Sequence, residues 1–434
     1  MPNSAILMIV SSCHEEKTGL AAVFLSKFFV RWPAGKDGFH LLRRLFRWLG
    51  YAGYLLCCIL AFCLYPLVRH LPPYKGLWLF AERGNDAQDN AFHLFQFVRK
   101  TAPYLSAAYL IDRKSPDFVR VARLGRTIQP GSFSHYLAFV CADVKISTHI
   151  MGYSPNPYLF TKLKFDRMLP GKKVFLQHGI LYNSISSLSA ERIHVDLFVC
   201  SVPKEYHELL TLYHHPKRVV QPLGLCRYDR LFQAHFEKRQ ILVMPTWRLF
   251  LRNCSNRTFQ DSGYFQSFHC LLCHRKLHAL LEQYDYELVF QLHPEMQHFT
   301  PCFTNSHPRI HIPTAPPDTQ SLLMESKLLI TDYSSVFFDF SYLKKPLIYF
   351  QFDSEDFFSA QYRPGYFEFE KDGFGPVCRK VDEVLNALQT YLAGNMQLPS
   401  LYKKRVDTFF PPPRTDHCAQ TFSAIQDLLS DSGK

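Results

Sequence analysis

Two phosphate-binding fingerprints are missing from this chain of 434 residues. Neither a GxxxxGK[ST] loop nor a GxGxxG turn occurs, so ATP hydrolysis on a P-loop and a resident nicotinamide dinucleotide are not indicated. No Asp-rich or His/Asp/His ligand set stands out, so neither a metal nor another cofactor is expected. Internal repeats and low-complexity tracts are also absent. No basic start precedes the first apolar patch, which argues against a cleavable export signal. Acidic residues are scarce at the N-terminal side: residues 1–80 hold nine Lys/Arg against three Asp/Glu, half of the chain's net charge of +12. Such an excess suits an anionic surface, lipid or nucleic acid.

The same region favours lipid. Residues 48–68, WLGYAGYLLCCILAFCLYPLV, carry no charge and are flanked by Arg43, Arg44 and Arg47 on one side and Arg69 on the other. That length just reaches across a bilayer core. The stretch AAVFLSKFFVRW at 21–32 adds a second apolar, basic segment suited to an interface. Three arginines before the apolar run keep that end cytoplasmic, and a single span would export everything after residue 70. An anchor that does not cross fits a cytoplasmic substrate better. The 13 cysteines are irregularly spaced and three lie inside the apolar run, so reduced thiols are expected. The CLLCH stretch at Cys270–His274 has haem-attachment spacing. It sits, however, inside an amphipathic pattern that predicts one helix over roughly 264–284.

With 47% hydrophobic residues, the chain can fill a sizeable core. From residue 75, short apolar runs alternate with helical segments: GLWLFAE, SAAYLID, DVKIST, KKVFLQHG, DLFVCS and RVVQPLG. The pattern restarts at RQILVMPT and continues through YELVFQLHP, RIHIP, KLLITD and KPLIYF. The last long helix is expected near KVDEVLNALQTYLAG, and PPPRTDH as a turn-rich surface segment. Two such sets predict an α/β protein with two Rossmann-like domains around a cleft. The expected division is a membrane-associating segment at 1–74, a first domain at 75–232 and a second at 233–434.

Ligands of open α/β sheets bind beyond the carboxyl ends of the strands. The polar groups there are His178 and Gly179; Arg227 and Asp229; Pro245, Thr246 and Arg248; Gln291 and His293; and Asp332, Ser334 and Ser335. A lone strand-end histidine is more often structural. Five such ends together, with a hydroxyl pair opening a helix, suit a phosphate-bearing ligand.

The motifs FLQHG, PLGLCRYD, MPTWR, FQLHP, ITDYSSVFFDFSYLKKPLIYF and YRPGYFEFEKDGFGPV run in order from Val174 to Val377. Together they resemble the CDP-glycerol glycerophosphotransferase family of teichoic acid primases and polymerases and related capsule polymerases. The resemblance implies a GT-B fold, with glycerol phosphate moving from CDP-glycerol to a hydroxyl of a lipid-linked or polysaccharide acceptor and CMP released. It implies a peripheral enzyme at the cytoplasmic face of the membrane, and leaves room for a homo-oligomer. By motif, His178 resembles the general base and His293 the histidine that stabilises the pyrophosphate or departing CMP. Arg227 resembles a phosphate contact. Pro245, Thr246 and Arg248 lie in the stretch bordering the nucleotide, Gly179 adjoins the base, and Ser334, Ser335 and Asp339 resemble donor-binding residues. Two departures stand out. HGILYNS replaces the family's HGTPLK, and CRYD its PRND-like element, so ribitol phosphate or another CDP-alditol fits the same chemistry. A nucleotide-sugar glycosyltransferase and an inactive membrane scaffold are the competing readings. Nucleic-acid binding is disfavoured, because the basic excess follows the apolar run.

Overall fold

The computed structural model describes residues 36–157, 159, 168–233, 236–304, 307–314 and 318–430. The expected interfacial stretch at 21–32 therefore lies outside the described residues. Two sheets, each wholly parallel, dominate the remainder. The first comprises β1 (Trp78–Ala81), β2 (Ala107–Leu110), β3 (Arg126–Ile128), β4 (Val144–Ser147), β5 (Lys172–Phe175), β6 (Leu197–Val199) and β7 (Val220–Gln221). Its spatial order is β3-β2-β1-β4-β5-β6-β7. The second comprises β8 (Gln240–Met244), β9 (Glu287–Phe290), β10 (Ile310–His311), β11 (Leu328–Thr331), β12 (Leu347–Phe350) and β13 (Val377–Cys378), ordered β10-β9-β8-β11-β12-β13.

Both sheets are doubly wound. Successive strand side chains point to opposite faces, and each face meets its own apolar cluster. Leu79 and Ala81 join one cluster while Trp78 and Phe80 join another. Ile241 and Val243 likewise part from Leu242. This is why the strands read as unbroken apolar runs. Strand order reverses between β1 and β4, and again between β8 and β11, which opens a ligand crevice at the carboxyl end of each sheet.

Two helical expectations change. The segment 264–284 is two helices, Gly263–Cys273 and Arg275–Gln283. His274 takes an extended backbone (ψ 125°) and its ring accepts from Lys276 N, capping the second helix. The helix Val381–Ala393 is present, but it is followed by Ser400–Phe409 and His417–Ser430. The latter leaves the second sheet and packs Cys418, Ala424 and Ile425 among Trp78, Phe80 and Leu197 of the first. Asp229 fixes its start by accepting from His417 N and Cys418 N at 2.8 and 2.9 Å. Gly224 (φ +77°) makes room for it, since a Cβ there would lie 2.2 Å from the His417 ring.

Among the described residues one helix is long and apolar enough to cross a membrane, over Gly50–Val68. It is the end of Lys36–Val68. One stripe of it, Tyr54, Cys58 and Ala61, is buried in the first domain's core. The Tyr54 ring lies 5.9 Å from that of Tyr136, on the helix Phe133–Cys141. The opposite face is bare: Leu56 is 57% exposed, Ile59 59% and Leu67 72%.

Candidate active site

The chain leaves β5 through Gln177, whose φ of +63° is in the left-handed region. A non-glycine residue held there costs on the order of 1–3 kcal/mol and persists only where its surroundings fix it. The fixing groups are Glu205, which accepts from the Gln177 side chain at 2.8 Å, and Asn90, whose amide donates to the Gln177 carbonyl at 2.8 Å. The turn buries Gln177 and leaves the His178 side chain 55% exposed.

His178 has a partner that the motifs did not suggest. Its Nδ1 hydrogen-bonds Asp89 Oδ2, which turns Nε2 away from the carboxylate. Asp89 caps the helix Asn90–Thr101 and is itself held by Arg227. Burial alone raises the Asp89 carboxyl, but Arg227 and His178 beside it hold it well below the usual carboxylate range. The His149 ring lies 4.8 Å from that of His178, and Arg83 Nε donates to His149 at 3.1 Å.

Arg227 lies between the two sheets and is 7% exposed. Its Nε and Nη2 form a fork on Asp339 at 2.7 and 2.9 Å, and its Nη1 donates to Asp89 at 2.8 Å and to the His178 carbonyl at 2.6 Å. Arg227 thus bonds two carboxylates and a carbonyl, and Asp339 faces its guanidinium. The result is a continuous chain, His178–Asp89–Arg227–Asp339, from the first sheet to the helix Val336–Tyr342 beside the second.

Ser334 and Ser335 precede that helix, half-buried, and Ser335 makes no side-chain cap bond. Gly179 lies against this corner: a Cβ on it would meet Ser335 Oγ at 3.1 Å and Arg227 Nη2 at 3.8 Å. The loop after β5 and the loop after β11 are thus in contact across the cleft. His293, from the loop after β9, faces the same space. Burial, reinforced by repulsion from Arg83 and His178, pushes its imidazole down to about 3. Its Nδ1 accepts from Glu295 N at 3.2 Å, so the neutral ring carries its proton on Nε2, a donor for an anionic oxygen.

The MPTWR stretch is used differently. Thr246 donates to Asp332 through both N and Oγ1, at 2.8 and 2.6 Å. Arg248 is fully buried and paired with Asp332 and Asp353 at 2.8 and 2.7 Å. These residues, with buried Pro245, bolt the end of β8 to the end of β11 beneath the crevice. The Thr246 hydroxyl and the Arg248 guanidinium are taken up by these bonds. After His178 and Gly179 the segment turns inward: Ile180, Leu181, Tyr182 and Asn183 are buried. The Tyr182 ring packs 5.5–6.0 Å from Phe337, Phe338, Phe367 and Phe369 of the second domain, and its hydroxyl bonds the Tyr333 carbonyl. A lysine at that motif would have no water to face.

Arg83, Asp89 and His149 were missed, although they obey the rule that found the others. Arg83 follows the end of β1 and His149 the end of β4, the pair flanking the first switch point. Asp89 shows as an Asp-Asn pair directly before an apolar helical run, a cap signal.

A model of one protein family, described as CDP-glycerol:poly(glycerophosphate) glycerophosphotransferase, matches residues 63–413. The chain belongs to this family. The minor teichoic acid biosynthesis protein GgaB of Bacillus subtilis (strain 168) is 30% identical over 365 residues, which is 82% of this chain and 40% of GgaB. The teichoic acid poly(glycerol phosphate) polymerase of the same strain is 40% identical over 92 residues, 21% of this chain and 12% of that protein. The chain thus spans well under half the length of these curated relatives. The solved structure of the wall teichoic acid polymerase TagF superposes with a TM-score of 0.64 at 15% identity, covering 93% of this chain and 100% of TagF's. That likeness establishes the fold as the expected GT-B arrangement. In this glycerophosphotransferase-family chain the QHG, LHP and TDYSS motifs all stand at strand ends around one cleft.

Proposed function

We propose that the protein transfers glycerol phosphate, or the phosphate of a related alditol, from its CDP conjugate to a hydroxyl of a lipid-linked or polysaccharide acceptor. The acceptor oxygen attacks the β-phosphorus while His178 Nε2 takes its proton. The bond from that phosphorus to the bridging oxygen breaks, and CMP leaves with the electron pair. His293, neutral and donating from Nε2, stabilises the charge growing on the diphosphate. Ser334, Ser335 and the backbone at that corner hold the donor. No residue in this scheme requires a metal. The supporting observation is that an oriented histidine, a neutral donor histidine and a free hydroxyl corner from two domains share one cleft. On this reading residues 75–232 form the acceptor side and 233–434 the donor side, the helix His417–Ser430 reaching back to complete the former.

The acceptor reading also gives the apolar helix a use. A helix bound to a water-soluble domain through Tyr54, Cys58 and Ala61 cannot thread the bilayer without carrying that domain in. We infer that it lies in the cytoplasmic leaflet with Leu56, Ile59 and Leu67 in the acyl region, bringing the cleft to a lipid-borne acceptor.

The test is incubation with CDP-glycerol, CDP-ribitol, UDP-sugars and GDP-sugars together with a lipid-linked acceptor, following CMP release and product mass. CMP formation from a CDP-alditol, with that alditol phosphate added to the acceptor, is expected. Turnover of a nucleotide sugar alone refutes the reading.

A further inference from the structure

We propose that Asp89 is a positioning residue for transfer: its Oδ2 orients the His178 imidazole, and Arg227 ties that carboxylate to Asp339 and so to the donor-side helix. The proposal rests on the reading of His178 as the base. Helix capping accounts for only one of the two Asp89 oxygens. Oδ1 accepts from Asn90 N at 2.8 Å and from Arg227 Nη1 at 2.8 Å. Oδ2 is left for His178 Nδ1. The loop carrying Asp89 is rigidly seated, since buried Glu82 accepts from Gln88 N, Asp89 N and Phe92 N at 3.0, 3.0 and 2.9 Å.

Charge follows the same geometry. One guanidinium is shared by two carboxylates, Asp89 and Asp339, which leaves one negative charge beside the imidazole. That charge faces the imidazolium formed when the base takes a proton. The other groups facing His178 are Asp86 from the loop that carries Asp89, Arg83 and His149 from the first switch point, Arg227 through its contact with the His178 carbonyl, and His293 from across the cleft. Burial pushes His149 and His293 down, so both are neutral near pH 7. Burial raises Asp86. Asp89 is the carboxylate hydrogen-bonded to the ring. The tether to Asp339 links the residue that orients the base to the donor-side helix.

Asp89→Asn is the informative change, because asparagine caps a helix as well as aspartate while removing the charge. With CDP-glycerol and acceptor, kcat should fall about 10²-fold, within the range of general acid–base contributions, and KM for CDP-glycerol should stay within about threefold. The His178 ring nitrogen resonances, assigned with His178→Ala, should report the Nδ1–H tautomer in the parent and lose that bias in Asp89→Asn. Those resonances are read without turnover. If both proteins show the same tautomer, or if Asp89→Asn raises KM and leaves kcat alone, the positioning role is overturned. If the tautomer changes but no CDP-alditol is turned over, the positioning role stands and the transfer reading falls.

Discussion

Replacing Arg248 with leucine is expected to destabilise the second domain without touching the donor directly. The guanidinium makes four hydrogen bonds: to Asp332 at 2.8 Å, to Asp353 at 2.7 and 2.9 Å, and to the Thr246 carbonyl at 2.8 Å. Leucine leaves two carboxylates facing each other, with the Asp332 side chain at 0% exposure and Asp353 at 12%. Removing one partner of a buried pair costs about 3–5 kcal/mol, since the survivor's charge is left uncompensated. At roughly 2–4 °C per kcal/mol for a domain of this size, the transition should fall by about 6–20 °C. Differential scanning calorimetry of the full chain reads this, and adding Asp332→Asn and Asp353→Asn should recover part of the loss. A shift under about 2 °C, accompanied by a large rise in KM for CDP-glycerol, would refute the reasoning. It would return Arg248 to the nucleotide, where its place in the motif first suggested it.

His178→Ala and His293→Ala should each lower transfer by about 10²–10⁴-fold with melting temperatures near the parent's, and full activity in His178→Ala removes the general base. Burial, helped by repulsion from Arg230, pushes His93 down to about 4 from 6.5. Below pH 6.5 the unfolded chain binds the extra proton, so stability falls as pH falls, by about 2 kcal/mol between pH 6.5 and 5. His93→Phe should flatten that part of a melting-temperature profile, and an unchanged slope contradicts the assignment. Leu56→Glu combined with Ile59→Glu should abolish co-sedimentation with anionic vesicles at unchanged melting temperature, whereas Cys58→Glu should lower the melting temperature. Undiminished vesicle binding by the double variant rules out the in-plane helix.

The sheets were legible because a doubly wound strand, buried on both faces, leaves an apolar run with punctuation at each end. Strand ends then led to His178, His293, Ser334 and Ser335 without any structure. The partners of those residues were not legible. Arg227 and Asp339 are separated by 112 positions, and no local pattern says that a conspicuous arginine and a conspicuous aspartate are spent on each other. The same holds for Arg248 and Asp332, which pair across 84 positions: a shared motif says nothing of such a partner. Asp89 was hidden behind its own local explanation, because a cap signal accounts for an aspartate so well that no second use is sought. The segmentation near His274 escaped because an apolar stripe continues through it, while the backbone break depends on one ring accepting from an amide.

The reach of the helix His417–Ser430 back to β1 and β6 has a consequence for biogenesis. Trp78 and Phe80 emerge from the ribosome long before the residues that cover them. At about 5–20 residues per second, the roughly 200 residues after β7 take on the order of 10–40 s to appear. During that interval the first domain has every strand it needs and an uncovered aromatic flank. The half-made chain is thus a species with its own surface, one that a chaperone or a membrane can hold until Asp229 receives its late partner.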